Sequence, residues 1–333
     1  MNHTVTLTSG QTVFSAEEHE TVLQAAMRQG LNLPHSCQSG ICGQCKAQLL
    51  SGDAVMGKHS EQALSAEEAA AGKILMCCSK LQSDARLDIP GYNGGLPQIR
   101  VSPARVSSVE YRADTALINL ALPKAPRFEF LPGQYIEIQM KNGTRSYSIA
   151  SSAADTEHLQ LHVRKREGGL FSELLFSEEP VIREKTVMRI RGPLGTFTLQ
   201  AHDGPIILLA TGTGYAPVYS ILQQLADEKR SNPVHLYWGG RRLEDLYLIE
   251  EAAALCREIG AKFTPVLSRA DDAWAGARGY VQEHALADYP DLSDCQVYAC
   301  GSTEMVAAAQ KLLTGQGRLK TENFFSDAFT PAA

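Results

Sequence analysis

The chain has no apolar run long enough to cross a membrane. Its densest, Ile206 to Ala210, is strand-sized, whereas a spanning helix needs about 20 residues. Basic tracts are missing too: 31 Lys and Arg stand against 37 Asp and Glu, a net charge of −6, which argues against nucleic acid as a partner. Aromatic residues are sparse at 7%, yet apolar residues reach 44% and charged residues 20%. That balance excludes a disordered chain, a collagen-like chain and a small disulfide scaffold. Met1-Asn2-His3-Thr4 has neither a basic n-region nor an apolar h-region, so no secretory signal, no membrane partner and a cytoplasmic location are expected. At 333 residues the prior is two domains, possibly three.

What the sequence does hold is eight cysteines in a patterned arrangement: Cys37, Cys42, Cys45, Cys77, Cys78, Cys256, Cys295 and Cys300. In a cytosolic chain of this size, clustered thiols hold a metal more readily than they form disulfides. Cys37, Cys42 and Cys45 read C-x4-C-x2-C, and 31 residues separate Cys45 from Cys77. This is the spacing of plant-type ferredoxins, in which four thiolates hold a 2Fe-2S cluster. Gly40 and Gly43 let the loop turn tightly and aim backbone N–H groups at the sulfurs. Zinc competes as occupant, but structural zinc favours two paired knuckles and only one close pair exists here. Cys77 and Cys78 both stand at the fourth position. Leu75-Met76-Cys77 resembles the ferredoxin leucine-x-cysteine pattern, which implies Cys77 as the ligand. Cys78, Cys256 and Cys295 are expected to be packing residues.

Three units follow along the chain. In residues 1–95, Val5-Thr6-Leu7 and Thr12-Val13-Phe14 alternate like a hairpin around Ser9-Gly10, and Thr21 to Arg28 reads as a helix closed by Gly30. With the cysteine loop and the acidic stretch Ser65 to Ala71, this resembles the β-grasp ferredoxin fold (α+β). Pro90 to Pro97 reads as a linker. Residues 98–200 carry short alternating segments, such as Tyr135 to Ile138 and Leu159 to Val163, which predict a small antiparallel β-barrel. From 203 to 333 the texture becomes strand then helix. Ile206 to Ala210, Val234 to Trp238, Phe263 to Leu267 and Gln296 to Ala299 read as buried parallel strands of an α/β domain. Helices are expected near Val218 to Lys229, Tyr247 to Ile259 and Thr303 to Thr314.

Within the barrel segment, Arg145-Ser146-Tyr147-Ser148 places a cation and an aromatic ring on one strand face. That pair suits a phosphorylated planar ligand, and it also suits an ordinary exposed strand. Thr211-Gly212-Thr213-Gly214 follows a buried strand and precedes Pro217, a placement that offers unpaired N–H groups to a pyrophosphate. It is not a Rossmann fingerprint, because the third glycine and the later acid are absent.

The R-x-Y-S run resembles the flavin signature of the ferredoxin–NADP reductase superfamily. By that resemblance Arg145 meets the flavin phosphate, Tyr147 covers the ring and Ser148 approaches its redox nitrogen. His162-Val163-Arg164 and Gly168 to Ser172 resemble the second flavin segment, with Gly169 and Ser172 at the pyrophosphate. Gly192 to Phe197 resembles the turn that closes the barrel. Thr211 to Gly214 resembles the nicotinamide-nucleotide turn, with Thr211 where a glycine is usual, which would narrow the backbone's approach. Cys300-Gly301 matches the pair flanking the nicotinamide, and Phe324 to Phe329 resembles the aromatic tail near the flavin, with Phe329 as its neighbour. Ser268, Arg269, Arg278 and Tyr280 could hold a 2′-phosphate, but Asp271 and Asp272 would repel one, so NADH is the expected coenzyme.

A chain with NAD(P)H, FAD and a 2Fe-2S cluster converts two-electron into one-electron transfer. The resemblance implies an iron–sulfur flavoprotein oxidoreductase that passes electrons to a partner: the terminal component of a Rieske-type or diiron oxygenase, or an intermediate ferredoxin. Cys77 to Lys80, Tyr298 to Ser302 and Phe325 to Phe329 also resemble the CDP-6-deoxy-glucoseen reductases, which serve a sugar dehydratase. A non-catalytic iron–sulfur carrier or redox sensor is the reading from another class. Residues 1–95 hold six Lys and Arg against nine Asp and Glu, a net of −3, so a basic docking patch is expected on the acceptor.

Overall fold

The alternation of Val5 and Leu7 with Phe14 and Ala16 becomes an antiparallel pair, β1 (Asn2–Leu7) and β2 (Val13–Glu17), in which these four side chains are buried and Val13 is exposed. This computed structural model describes residues 2–8, 12–35, 37–41, 43–89, 92 and 96–329. The expected turn at Ser9-Gly10 and most of the Pro90–Pro97 linker lie outside the described residues. Helix α1 (Val22–Arg28) starts at Thr21, whose hydroxyl accepts the Gln24 N–H while the Gln24 side chain accepts the Thr21 N–H. It buries Val22, Leu23, Ala25, Ala26 and Met27. The unit continues with β3 (Lys46–Ser51), β4 (Ala54–Met56), α2 (Ala66–Ala70), β5 (Lys73–Leu75), β6 (Ser79–Leu81) and β7 (Ala85–Asp88). Its main sheet runs β2-β1-β7-β3-β5, with β1 and β7 parallel, and β4 and β6 form a separate ribbon. Here the β-grasp expectation is realised.

The second sheet comprises β8 (Arg100–Arg112), β9 (Thr115–Ala121), β10 (Tyr135–Met140), β11 (Gly143–Ser148), β12 (His158–Arg164) and β13 (Val187–Leu194), with α3 (Ser172–Phe176) before its last strand. The order is β11-β10-β13-β8-β9-β12. Strands β11 and β12 therefore stand at the two ends of the sheet, and the chain beyond β11 meets β12 through the antiparallel bridge Ile149–Leu161. Ile118, Leu120, Ile136, Ile138, Leu161 and Ile190 fill the interior. The seam between β11 and β12 thus brings together the two segments that resemble flavin-binding motifs.

The third sheet is parallel, in the order β17-β16-β15-β14-β18-β19. Its elements are β14 (Ile206–Thr211), α4 (Tyr215–Asp227), β15 (Val234–Gly240), α5 (Ile249–Glu258), β16 (Lys262–Leu267), β17 (Ala277–Arg278), α6 (Val281–Asp288), β18 (Gln296–Ser302), α7 (Thr303–Gly315) and β19 (Phe324–Phe329). Every residue from Ile206 to Ala210 is fully buried, as expected of a strand covered on both faces. Strand order reverses between β14 and β18, and a ligand crevice opens at the carboxyl ends of strands at such a point. Two elements depart from expectation. Helix α6 was not anticipated, because only Val281, Gln282 and Ala285 of it are buried and no helical stripe stands out. Phe324 to Phe329, expected as a tail, is an edge strand paired with β18.

The described chain divides into two units: residues 1–100 with 192–196, and residues 101–191 with 197–333. The flavin barrel and the parallel sheet share the second.

Candidate functional site

In the first unit, Cys45 is buried in the loop entering β3, and Cys77 sits half-buried in the turn between β5 and β6. The Cys37 sulfur accepts backbone N–H groups from Ser39 and Ile41, both at 3.4 Å. Gly40 holds φ at +74°, and a side chain there would press on the Cys78 sulfur and His59. The neighbouring Cys45 sulfur, with burial, drives the Cys77 thiol far above its ordinary range, while the Gly40 N–H opposes this. Burial, then the nearby Cys77 sulfur, pushes Cys78 up to about 12. Cys77 and Cys78 sulfurs lie 3.5 Å apart. Cys42 lies outside the described residues, and among the described residues no three donors close around a single metal ion. Clustered sulfurs, with amide hydrogens aimed at that of Cys37, form a donor set suited to thiophilic cations such as cluster irons.

In the second unit, β10 pairs with β11 so that Arg145 lies opposite Ile138, Tyr147 opposite Ile136 and Ser148 opposite Tyr135. Arg145 donates to the Thr144 carbonyl at 2.8 Å, and among the described residues no carboxylate pairs with it or with Arg166. Both guanidiniums flank Tyr147, whose phenol burial pushes up to about 12 and whose ring lies 5.2 Å from that of Phe171. Ser146 is exposed and Ser148 buried. Two unneutralised cations beside a half-buried ring fit a flavin with its phosphates. The Ser172 hydroxyl donates to the Arg166 carbonyl at 2.9 Å and accepts the Arg166 N–H at 3.2 Å. It therefore shapes the loop that carries Arg166, and a side chain at Gly169 would strike it. Val163 points into the barrel core, and its backbone pairs with Ala116 on β9. The buried His162 ring meets Gln160 and Tyr247.

At the switch point a cleft of about 910 Å³ opens, lined by Arg166, Thr211, Gly212, Tyr280, Gly301 and Phe329 among others. Thr213 and Gly214 continue the turn into α4. Side chains at Gly214 or Gly301 would collide with the Cys300 carbonyl and the Thr211 hydroxyl, respectively. Thr211 is tolerated where glycine was expected because its register neighbour on β15 is Gly239 and its hydroxyl fits beside Gly301 and accepts the Ser302 N–H at 3.3 Å. Its bulk goes sideways along the sheet. Cys300 is fully buried, which drives its thiol pKa well up; its side chain joins the core and does not line the cleft. Sequence reasoning missed Arg166, for which the adjacent Arg164-Lys165-Arg166 run was the available signal, and also Tyr247 and Asp245, which bond to His162 and Arg164 of β12.

Over 96% of its length the chain is 37% identical to the CDP-6-deoxy-L-threo-D-glycero-4-hexulose-3-dehydrase reductase of Yersinia pestis, of which it covers 96%. It belongs to the three-domain iron–sulfur flavoprotein reductases. A 2Fe-2S iron-sulfur cluster binding domain matches residues 5–82, an oxidoreductase FAD-binding domain residues 105–199 and an oxidoreductase NAD-binding domain residues 208–311. The propane 2-monooxygenase reductase component of Rhodococcus jostii is 32% identical, over 95% of this chain and 88% of that one. The crystal structure of the Amycolatopsis reductase GcoB matches with a TM-score of 0.82 at 32% identity, covering 99% of this chain and 100% of that one. This reductase therefore uses a 2Fe-2S cluster, FAD and NAD(P)H, and it is an electron-transfer oxidoreductase. No helix among the described residues is long and apolar enough to cross a membrane.

Proposed function

We propose that this reductase takes electrons from NADH and delivers them singly to a separate acceptor protein in the cytoplasm, the terminal component of a multicomponent oxygenase. The cleft at the β14–β18 switch point, contiguous with the flavin-facing Arg166 loop, carries this reading. Domains at 1–95, 98–200 and 203–333 each serve one redox carrier. A bound FAD would supply the conversion between the nicotinamide's two-electron chemistry and the cluster's one-electron chemistry.

The chain's own residues hold and orient. Cys37, Cys42, Cys45 and Cys77 ligate the irons. Arg145 and Arg166 neutralise the flavin's phosphates, Ser146 and Gly169 admit its approach, and Ser172 fixes the Arg166 loop. Tyr147 packs on the ring system, Ser148 with the backbone of His162 lines the seam, and Val163 backs it from the core. Thr211 to Gly214 present N–H groups to the nucleotide, Gly301 leaves room for the nicotinamide, Cys300 backs that wall from the core, and Phe329 flanks the cleft. NADH is favoured because the Arg278 guanidinium is already engaged by the carbonyls of Ala270, Asp271 and Trp274, at 2.7 to 3.1 Å, and is not free for a 2′-phosphate.

A specific observation favours a second acceptor, a sugar dehydratase: the Yersinia reductase is 37% identical, against 31–32% for the Rhodococcus propane monooxygenase and Pseudomonas putida toluate dioxygenase components. Anaerobic titration with NADH should bleach flavin and cluster absorbance together, and NADPH should act more slowly. Absence of bleaching would contradict the reductase reading. Reconstitution with a purified oxygenase component or with a hexulose dehydrase then separates the two acceptors.

A further inference from the structure

Strand β12 sends two alternate side chains, His162 and Arg164, out of the barrel to the segment that follows β15. The His162 Nδ1 lies 2.8 Å from the Tyr247 hydroxyl, and Arg164 forms an ion pair with Asp245. The first bond has a defined direction. Gln160 donates its amide N–H to Asn119 at 3.1 Å, which turns its carbonyl oxygen toward His162 Nε2 at 3.0 Å. His162 therefore carries its proton on Nε2 and accepts at Nδ1, so Tyr247 is the donor. Burial depresses the imidazole pKa to about 3, which keeps this neutral form at working pH.

Both anchors connect onward to the nucleotide cleft. The other Asp245 oxygen accepts the N–H groups of Arg241 and Arg242, at 2.8 and 3.1 Å, and Arg241 lines the cleft. The Tyr247 ring meets Trp238 edge-on at 5.3 Å, and the Trp238 indole N–H donates to the Gly212 carbonyl at 3.1 Å, in the nucleotide turn itself.

We propose that Tyr247 and Asp245 are positioning residues that clasp the flavin strand β12 to the nucleotide turn and thereby set the spacing between nicotinamide and flavin. This rests on the reading that the nicotinamide reduces the flavin at this seam. A misplacement of about 1 Å at such a site costs on the order of 100-fold in rate, so a loosened clasp acts on the hydride step before it acts on binding.

The test is anaerobic stopped-flow flavin bleaching of the holoenzyme by NADH and by its 4-deuterated form. Tyr247→Phe keeps the ring packing and removes the donor. It should slow hydride transfer roughly ten-fold, raise the deuterium isotope effect and leave the apparent KM for NADH almost unchanged. A wild-type rate and isotope effect would overturn the proposal. Should Tyr247→Phe lose FAD, the Gln160 variants carry the test. Gln160→Glu preserves an acceptor for the His162 Nε2–H and should keep the rate, whereas Gln160→Leu releases the tautomer and should slow it. Equal rates for those two would overturn the clasp. Failure of the wild-type enzyme to bleach would instead remove the functional reading beneath it.

Discussion

The cysteine motif holds Cys37, Cys42 and Cys45 within nine consecutive residues, whereas the nucleotide cleft is lined by residues as far apart as Arg164 and Phe329. In the first case the chemistry is local: the ligand spacing is itself the geometry, and turns at residues such as Gly40 bend the chain around the sulfurs. In the second, strand order does the work. Thr211 and Gly301 become neighbours only because β14 and β18 pair in parallel after a long crossover. A local site survives in any fold that tolerates its loop; a site assembled by topology depends on every register that builds it.

The largest expected effect separates the two regions outright. Cys45→Ser should abolish the visible spectrum of the cluster and cytochrome c reduction while NADH-to-ferricyanide activity persists; equal loss of both would show the sites to be interdependent. Gly301→Ala tests the other side. Its added methyl meets the Thr211 hydroxyl at a φ of +146°, so flavin bleaching by NADH should slow on the order of 100-fold while the cluster spectrum stays intact. Arg145→Ala removes one of two cations at the flavin seam. Charge-assisted hydrogen bonds contribute about 1.5–3 kcal/mol, so FAD should bind roughly 10- to 100-fold more weakly, as measured by flavin retention on dialysis.

The smallest effect is in acid. Burial holds His162 down to about 3 and His235 to about 4, against an ordinary 6.5. The unfolded chain protonates these histidines first, so the second unit loses stability as pH falls below 6.5 and continues to lose it toward the folded values. In the first unit, Glu68 is held to about 2 chiefly by Lys46, so its contribution is complete above the ordinary 4.5 and fades only between 4.5 and 2. Between about pH 7 and pH 5 the melting temperature read by flavin release should fall by a few degrees while that read by cluster absorbance holds. Parallel movement of the two would erase the contrast.

Much of this was legible in the sequence where a local pattern carried the physics. The C-x4-C-x2-C spacing pointed to the cluster. The helix beginning at Thr21 and four parallel strands of the third domain followed from hydrophobic period and turn residues, although of the expected buried strand Phe263 to Leu267 only Val266 and Leu267 are buried. Other features were not legible. Helix α6 lacks an apolar stripe, and β19 exists because β18 offers it a free edge. The resemblance places Ser172 at the pyrophosphate and Cys300 beside the nicotinamide; that the Ser172 hydroxyl bonds to Arg166 and the Cys300 thiol lies in the core follows from the fold alone.

The three kinds of cofactor site and their order are written in the chain's local patterns, because each rests on residue types at short separations. Thr211 can replace a glycine only because strand pairing sets Gly239 on one side of it and Gly301 on the other. Only in the fold, too, do Tyr247 and Asp245 meet β12. Such contacts depend on strand register and on which edge of a sheet is free, and neither is encoded within any one stretch of chain.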